Sequence, residues 1–90
     1  MRFSGHAIQQ MFQRSISMAE VLVVIEKGQT ITSYPEDNPY PSELILGFVN
    51  ERPLHAVVAI DGRVETCYVV TAYEPSLELW DDDFKTRKTN

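Results

Sequence analysis

Apolar residues keep a helical spacing up to about Gly28 and an extended one beyond it. Phe3, Ala7, Ile8, Met11 and Phe12 recur at helical intervals behind Ser4, a good N-cap, which predicts a first helix from about Gly5 to Arg14. At about 100° per residue from His6, the polar Gln9, Gln10, Gln13 and Arg14 fall between about −60° and +80°, with Ile8, Met11 and Phe12 opposite. One face is expected in the core and the other in water. Ser17-Met18-Ala19-Glu20 has the spacing of a capping box, in which Ser17 accepts from the Glu20 N–H and the Glu20 side chain reaches back. The second helix it opens carries Val21, Leu22, Val24 and Ile25. It closes at Lys27-Gly28, a cation in the last turn followed by the residue best suited to a left-handed C′ position. The helix is rich in β-branched residues, so packing rather than propensity has to hold it.

Past Gly28, four strands are predicted: Gln29 to Tyr34, Leu44 to Val49, Leu54 to Ile60 and Thr66 to Tyr73. Pro35 to Ser42 reads as a loop and Asn50 to Pro53 as a turn, while Asp61-Gly62 is the strongest hairpin signal in the chain. Two helices followed by an antiparallel four-stranded meander make an α+β layer, with both helices on one sheet face. After Glu74 the pattern loosens, but Leu77, Trp80 and Phe84 keep a spacing that lets them dock back on the sheet. The expected organisation is one domain over 1–84 and a basic, flexible segment over 85–90.

Composition narrows the functional classes. Thirteen acidic residues against eight basic give a net charge of −5, which argues against non-specific binding of nucleic acid over the whole surface. The charge is uneven: five of the acidic residues lie between Glu74 and Asp83, and none precedes Glu20. A local site on the first helix therefore stays open, and the acidic stretch suits a basic partner. The lone Cys67 excludes an internal disulfide and fits a reducing, cytoplasmic setting. The first ten residues build no apolar signal segment, and the longest apolar runs are far short of the roughly 20 residues of a membrane helix.

Several residues can carry chemistry. With Ser4 as cap, His6 falls in the first helical turn beside unpaired backbone N–H groups, a place that attracts anions and suits a ring acting as a base. Gln10 and Arg14 follow on the same face, and histidine with arginine there can hold and attack a phosphodiester; the plainer reading is a polar first turn and a helix-end cation. His55 interrupts an apolar strand and is either buried with a partner or exposed to a groove. Whether it shares a face with Tyr68 or with Thr71 and Tyr73 depends on the register of the last hairpin. Tyr73, with Lys85 and Arg87 beyond it, offers a proton donor and charge stabilisers for RNA cleavage through the 2′-hydroxyl; alternatively these are a rim aromatic and solubilising cations. Asp81, Asp82 and Asp83 diverge too much to chelate one ion, and two histidines and one cysteine fit no zinc spacing. No metal or cofactor is expected.

Phe3-Ser4-Gly5-His6-Ala7, then Met11, Arg14 and Ile16-Ser17, and later Val69-Val70-Thr71-Ala72-Tyr73-Glu74-Pro75, resemble the DUF4258 family of small bacterial and archaeal proteins. That family is similar to the RelE and MqsR group of toxin-like ribonucleases. The resemblance implies a two-helix, curved-sheet fold and a metal-independent endoribonuclease neutralised by a zinc-finger antitoxin. Two positions depart from the pattern: Gln10 stands where relatives often carry Arg, and Ser15 where they often carry Gly. The resulting expectation is a toxin-type RNA-cleaving domain with His6 as acid or base, Arg14 stabilising the phosphorane and Tyr73 or His55 assisting. Gln10, Gln13, Thr71, Lys85 and Arg87 are expected to contact RNA or the ribosome. The competing expectation is a non-catalytic module of the same fold that uses its acidic stretch, or Tyr34, Tyr40 and Trp80, to hold a protein partner; a homodimer is compatible with either.

Overall fold

The computed structural model describes residues 1–89. Its elements are β1 (Arg2–Phe3), α1 (Gly5–Gln13), α2 (Met18–Lys27), β2 (Gln29–Tyr34), β3 (Ser42–Val49), β4 (Arg52–Asp61) and β5 (Thr66–Tyr73). The sheet order is β1-β5-β4-β3-β2. β2 to β5 form the expected antiparallel meander. β1 adds a fifth strand, parallel to β5, so the sheet is mixed rather than antiparallel and four-stranded. Phe3, counted by its spacing with the first helix, belongs to that strand and pairs with Val69. A two-residue strand exists only through pairing with a segment some 65 residues away, and it has no local signature.

Both helices begin as their capping chemistry dictates. The Ser4 hydroxyl accepts from the Ala7 N–H at 3.0 Å. The Ser17–Glu20 box closes with both bonds, at 3.1 and 2.9 Å. α1 ends one residue short of the expected Arg14, which is its C-cap, and Ser15 then turns the chain with a left-handed φ of 56°. Gly28 does not take the left-handed conformation expected of it: its φ is −79° and its backbone is extended. Space explains that glycine, since a Cβ would collide with the Val24 carbonyl and lie 2.6 Å from the Leu46 carbonyl oxygen.

The core between helices and sheet is built from Ala7, Met11, Ile16, Val21 and Val24 against Ile45, Leu54, Ala56, Val58, Val69 and Ala72. α1 packs on β5, while α2 packs on β3 and β4. Because the two helices stand on different strands, the flank of α1 carrying Ile8 and Phe12 is not buried as its amphipathic pattern predicts. Phe12 is 86% exposed and Ile8 41%.

The hairpins also differ from expectation. Asn50 and Glu51 alone connect β3 to β4, both at positive φ (51° and 69°), as a two-residue type I′ turn requires. Asp61-Gly62 marks a hairpin, but a wider one: Asp61 pairs with Thr66, and the Asp61 carboxylate accepts from the Arg63 backbone N–H at 3.1 Å. Between Val57 and Val58 the register with β5 shifts, leaving Val70 as a bulge. On the sheet face away from the helices, residue rows therefore run Gln29–Leu46–His55–Tyr73, Thr32–Leu44–Val57–Thr71 and Tyr34–Ser42–Ala59–Tyr68.

Residues 74–88 fold back over one end of that face as a clasp. Trp80 stands edge-on to His55, ring centroids 4.6 Å apart, and Phe84 meets Phe48 at 6.2 Å. The clasp is closed on itself by Asp81 N–H donating to Thr86 O (2.8 Å) and Lys88 N–H donating to Leu79 O (2.9 Å). The basic segment expected to be flexible thus carries backbone hydrogen bonds at Thr86 and Lys88; position 90 lies outside the described residues. Of the three residues expected to dock, Trp80 is buried and Phe84 half-buried, whereas Leu77 remains exposed.

Candidate functional site

β1 and the Ser4 N–H, which donates to Val69 O at 3.4 Å, tie the start of α1 to β5, a strand that β1 borders only at Tyr68 and Val69. The helix then runs alongside β5, and Gln10 and Arg14, one and two turns on from His6, reach the strand at Thr71 and Ala72. The guanidinium of Arg14 donates to the Ala72 carbonyl at 2.9 Å and to the Thr71 hydroxyl at 3.3 Å. Thr71 in turn donates to Gln10 Oε1 at 2.7 Å. The Gln10 amide nitrogen lies 2.9 Å from His6 Nε2.

The direction of each bond follows from the donors available. Arg14 only donates, so the Thr71 oxygen accepts from it and passes its own proton toward Gln10; the Gln10 amide N–H then donates to His6. His6 Nε2 is therefore the lone-pair nitrogen of the ring. The line ends in a solvent-exposed base at one side and a guanidinium at the other, carried by residues whose backbones stand two helical turns, about 12 Å, apart along the axis.

Tyr73 lies one row further along the same face. Burial pushes its hydroxyl above the ordinary tyrosine range, as does neighbouring Tyr34, while Arg87 and Arg14 pull it down. It is a proton-bearing donor beside two cations. His55 shares that face with Thr71 and Tyr73 and, because of the Val70 bulge, with Tyr68 as well, so the two registers weighed from the sequence are not alternatives. It is fully buried beneath the clasp. Its Nε2 donates to the Phe84 carbonyl at 2.8 Å, which leaves Nδ1 to accept from the Tyr73 hydroxyl at 3.2 Å. Burial lowers the affinity of His55 for a second proton, only partly offset by the Phe84 bond. A proton relay through His55 requires the clasp to lift.

The remaining expected residues are spread over the molecule. Gln13 is exposed and forms no side-chain hydrogen bond among the described residues. Lys85 sits with Lys27 at a cavity of about 340 Å³ beyond the end of α2, floored by Leu46 and Gly47. Arg87 lies 5.6 Å over the ring of Trp80. Among the described residues no group of three or more His, Cys, Asp or Glu is placed to hold a metal ion, and no helix is long and apolar enough to cross a membrane. Arg52 was not among the candidates: it donates to the Ser15 and Arg14 carbonyls at 3.0 and 3.2 Å and pairs with Glu20 and Glu74, holding the C-terminal end of the candidate helix in place. Nothing in its local sequence signals that reach of some 38 residues.

Residues 3–74 match the family model described as a domain of unknown function, DUF4258. No curated protein and no solved structure matches the chain. The matched stretch contains every member of the His6–Gln10–Thr71–Arg14 line and stops at the start of the clasp.

Proposed function

The chain belongs to the DUF4258 family, and from its own site we propose that it is a metal-independent endoribonuclease of the toxin type, acting in the cytoplasm and restrained by a cognate antitoxin. The observation that carries this reading is the directed hydrogen-bond line from Arg14 through Thr71 and Gln10 to the lone pair of His6. In this reading a phosphodiester seats at the Arg14 guanidinium, and the adjacent ribose 2′-hydroxyl replaces the Gln10 amide at His6 Nε2. His6 takes the 2′-hydroxyl proton as the oxygen attacks phosphorus. Arg14 stabilises the charge on the pentacoordinate phosphorane. The bond to the 5′-oxygen breaks, and Tyr73, turning its hydroxyl away from His55 Nδ1, supplies a proton to that leaving group. The products are a 2′,3′-cyclic phosphate and a 5′-hydroxyl.

The exposed Phe12 and Ile8 favour a second reading, a module that docks a protein on its helix layer, and a toxin held by an antitoxin needs such a surface too. The test is incubation of the purified chain with mRNA, with and without ribosomes, in the presence of EDTA. Cleavage that survives EDTA is expected. Absence of cleavage in every condition, together with no growth arrest on expression, rejects the enzyme and leaves the docking module.

A further inference from the structure

All four tyrosines of the chain lie toward the sheet face opposite the helices, and two of them form a flat stack at the end of that face remote from the clasp. Tyr68 rises from β5 on the same face as Thr71 and, across the Val70 bulge, one row away, opposite Ala59 where Thr71 is opposite Val57, about 7 Å along the sheet at the usual strand rise. Tyr40, from the loop between β2 and β3, lies on it with ring centroids 5.8 Å apart and planes within 8° of parallel. Arg63, from the loop after β4, reaches back so that its guanidinium stands 5.9 Å from the Tyr40 ring centroid. Beside this stack opens a cavity of about 380 Å³ lined by Tyr40, Pro41, Ile60, Asp61 and Arg63.

Charge decides what the cavity suits. Arg63 is already paired with Asp61, Nε to Oδ1 at 3.2 Å, and Asp61 is itself buried, so the net charge at the cavity is close to zero. A phosphate gains little there. A neutral planar ring gains from both groups, through stacking on the tyrosine and through the face of the guanidinium. The Arg63 side chain is 80% exposed and can lift to admit it.

We infer that this cavity is a nucleobase subsite, in which a base of single-stranded RNA stacks on the Tyr40–Tyr68 pair under Arg63 while its chain continues to the phosphate position at Arg14 and Thr71. The inference rests on the ribonuclease reading, because the strand's direction and distance are set by that site. Stacking of this kind is tolerant of sequence and adds affinity without adding positive charge, which fits a chain of net charge −5.

The experiment uses a fluorescent single-stranded 2′-fluoro RNA, which lacks the attacking hydroxyl and cannot be cut, with binding followed by anisotropy. The full-length chain is compared with Tyr40→Leu, Tyr68→Phe and Arg14→Ala, and the RNA with versions carrying one abasic residue at successive positions. Expected results are about tenfold weaker binding for Tyr40→Leu, near-normal binding for Tyr68→Phe, and a comparable loss in the wild type when one particular base is removed. Unchanged binding by Tyr40→Leu and by every abasic RNA, with Arg14→Ala still weakened, overturns the subsite and leaves the RNA reading standing. If Tyr40→Leu does not fold, the abasic series on the wild type decides. A wild-type chain that binds no RNA overturns both.

Discussion

The ring nitrogen that His6 presents is set by a neighbour's amide, and that makes single substitutions along the line informative. His6→Ala removes the base outright and is expected to lower the cleavage rate by at least about 10²-fold, with little effect on the melting temperature because the side chain is exposed. Thr71→Val keeps shape but removes the hydroxyl that both accepts from Arg14 and donates to Gln10. Its cleavage rate should fall by less than that of His6→Ala, since the guanidinium retains the Ala72 carbonyl. His55 gives a prediction about pH. Burial makes the fold prefer its neutral form, so its contribution is complete above the ordinary histidine value of about 6.5 and is lost as pH falls through that value toward the lowered one. The urea midpoint followed by Trp80 fluorescence should therefore drop between about pH 7 and pH 5. A midpoint that rises over that interval contradicts the assignment of a neutral, buried ring.

At the scale of elements, the end of α1 is where the chain pays conformationally. Ser15 holds a φ of 56° that glycine adopts without strain. Ser15→Gly is expected to raise stability by about 0.5–1 kcal/mol, measured by urea unfolding. Arg52→Ala removes two carbonyl bonds and two partly exposed ion pairs from the same corner, and should lower stability by about 1–2 kcal/mol. Gly47→Ala would press a methyl group to 2.9 Å from the Val24 Cα and should destabilise by about 1–3 kcal/mol through the α2–β3 contact. What was legible in the sequence follows the range of each interaction. The Ser17–Glu20 box, the Ser4 cap and the His6–Gln10–Arg14 stripe are local, and spacing alone reveals them. β1, the Val70 bulge and the grip of Arg52 on α1 depend on partners tens of residues distant, and periodicity carries no trace of them. The amphipathic pattern misplaced Phe12 because a helix at a sheet edge finds a core under only part of its apolar face.

Over the whole molecule, the clasp covers one end of the outer sheet face, while the candidate site runs along the flank between α1 and β5. The clasp lies outside the family match and closes over His55, while the His6–Arg14 line lies within it and stays open. Local release of the clasp should therefore leave the rest of the fold standing. Trp80→Ala is expected to abolish amide protection at Asp81 and Lys88 in hydrogen exchange while β3 and β4 stay protected; simultaneous loss across the sheet would show that the clasp is part of the main cooperative unit. The central claim, that the α1–β5 edge cleaves RNA through a 2′-hydroxyl, is tested most directly by the chemistry of the fragment ends. RNA incubated with the wild-type chain and EDTA should yield 2′,3′-cyclic phosphate and 5′-hydroxyl termini that are absent with His6→Ala. Fragments bearing 3′-hydroxyl and 5′-phosphate ends, or identical products from both proteins, would contradict it.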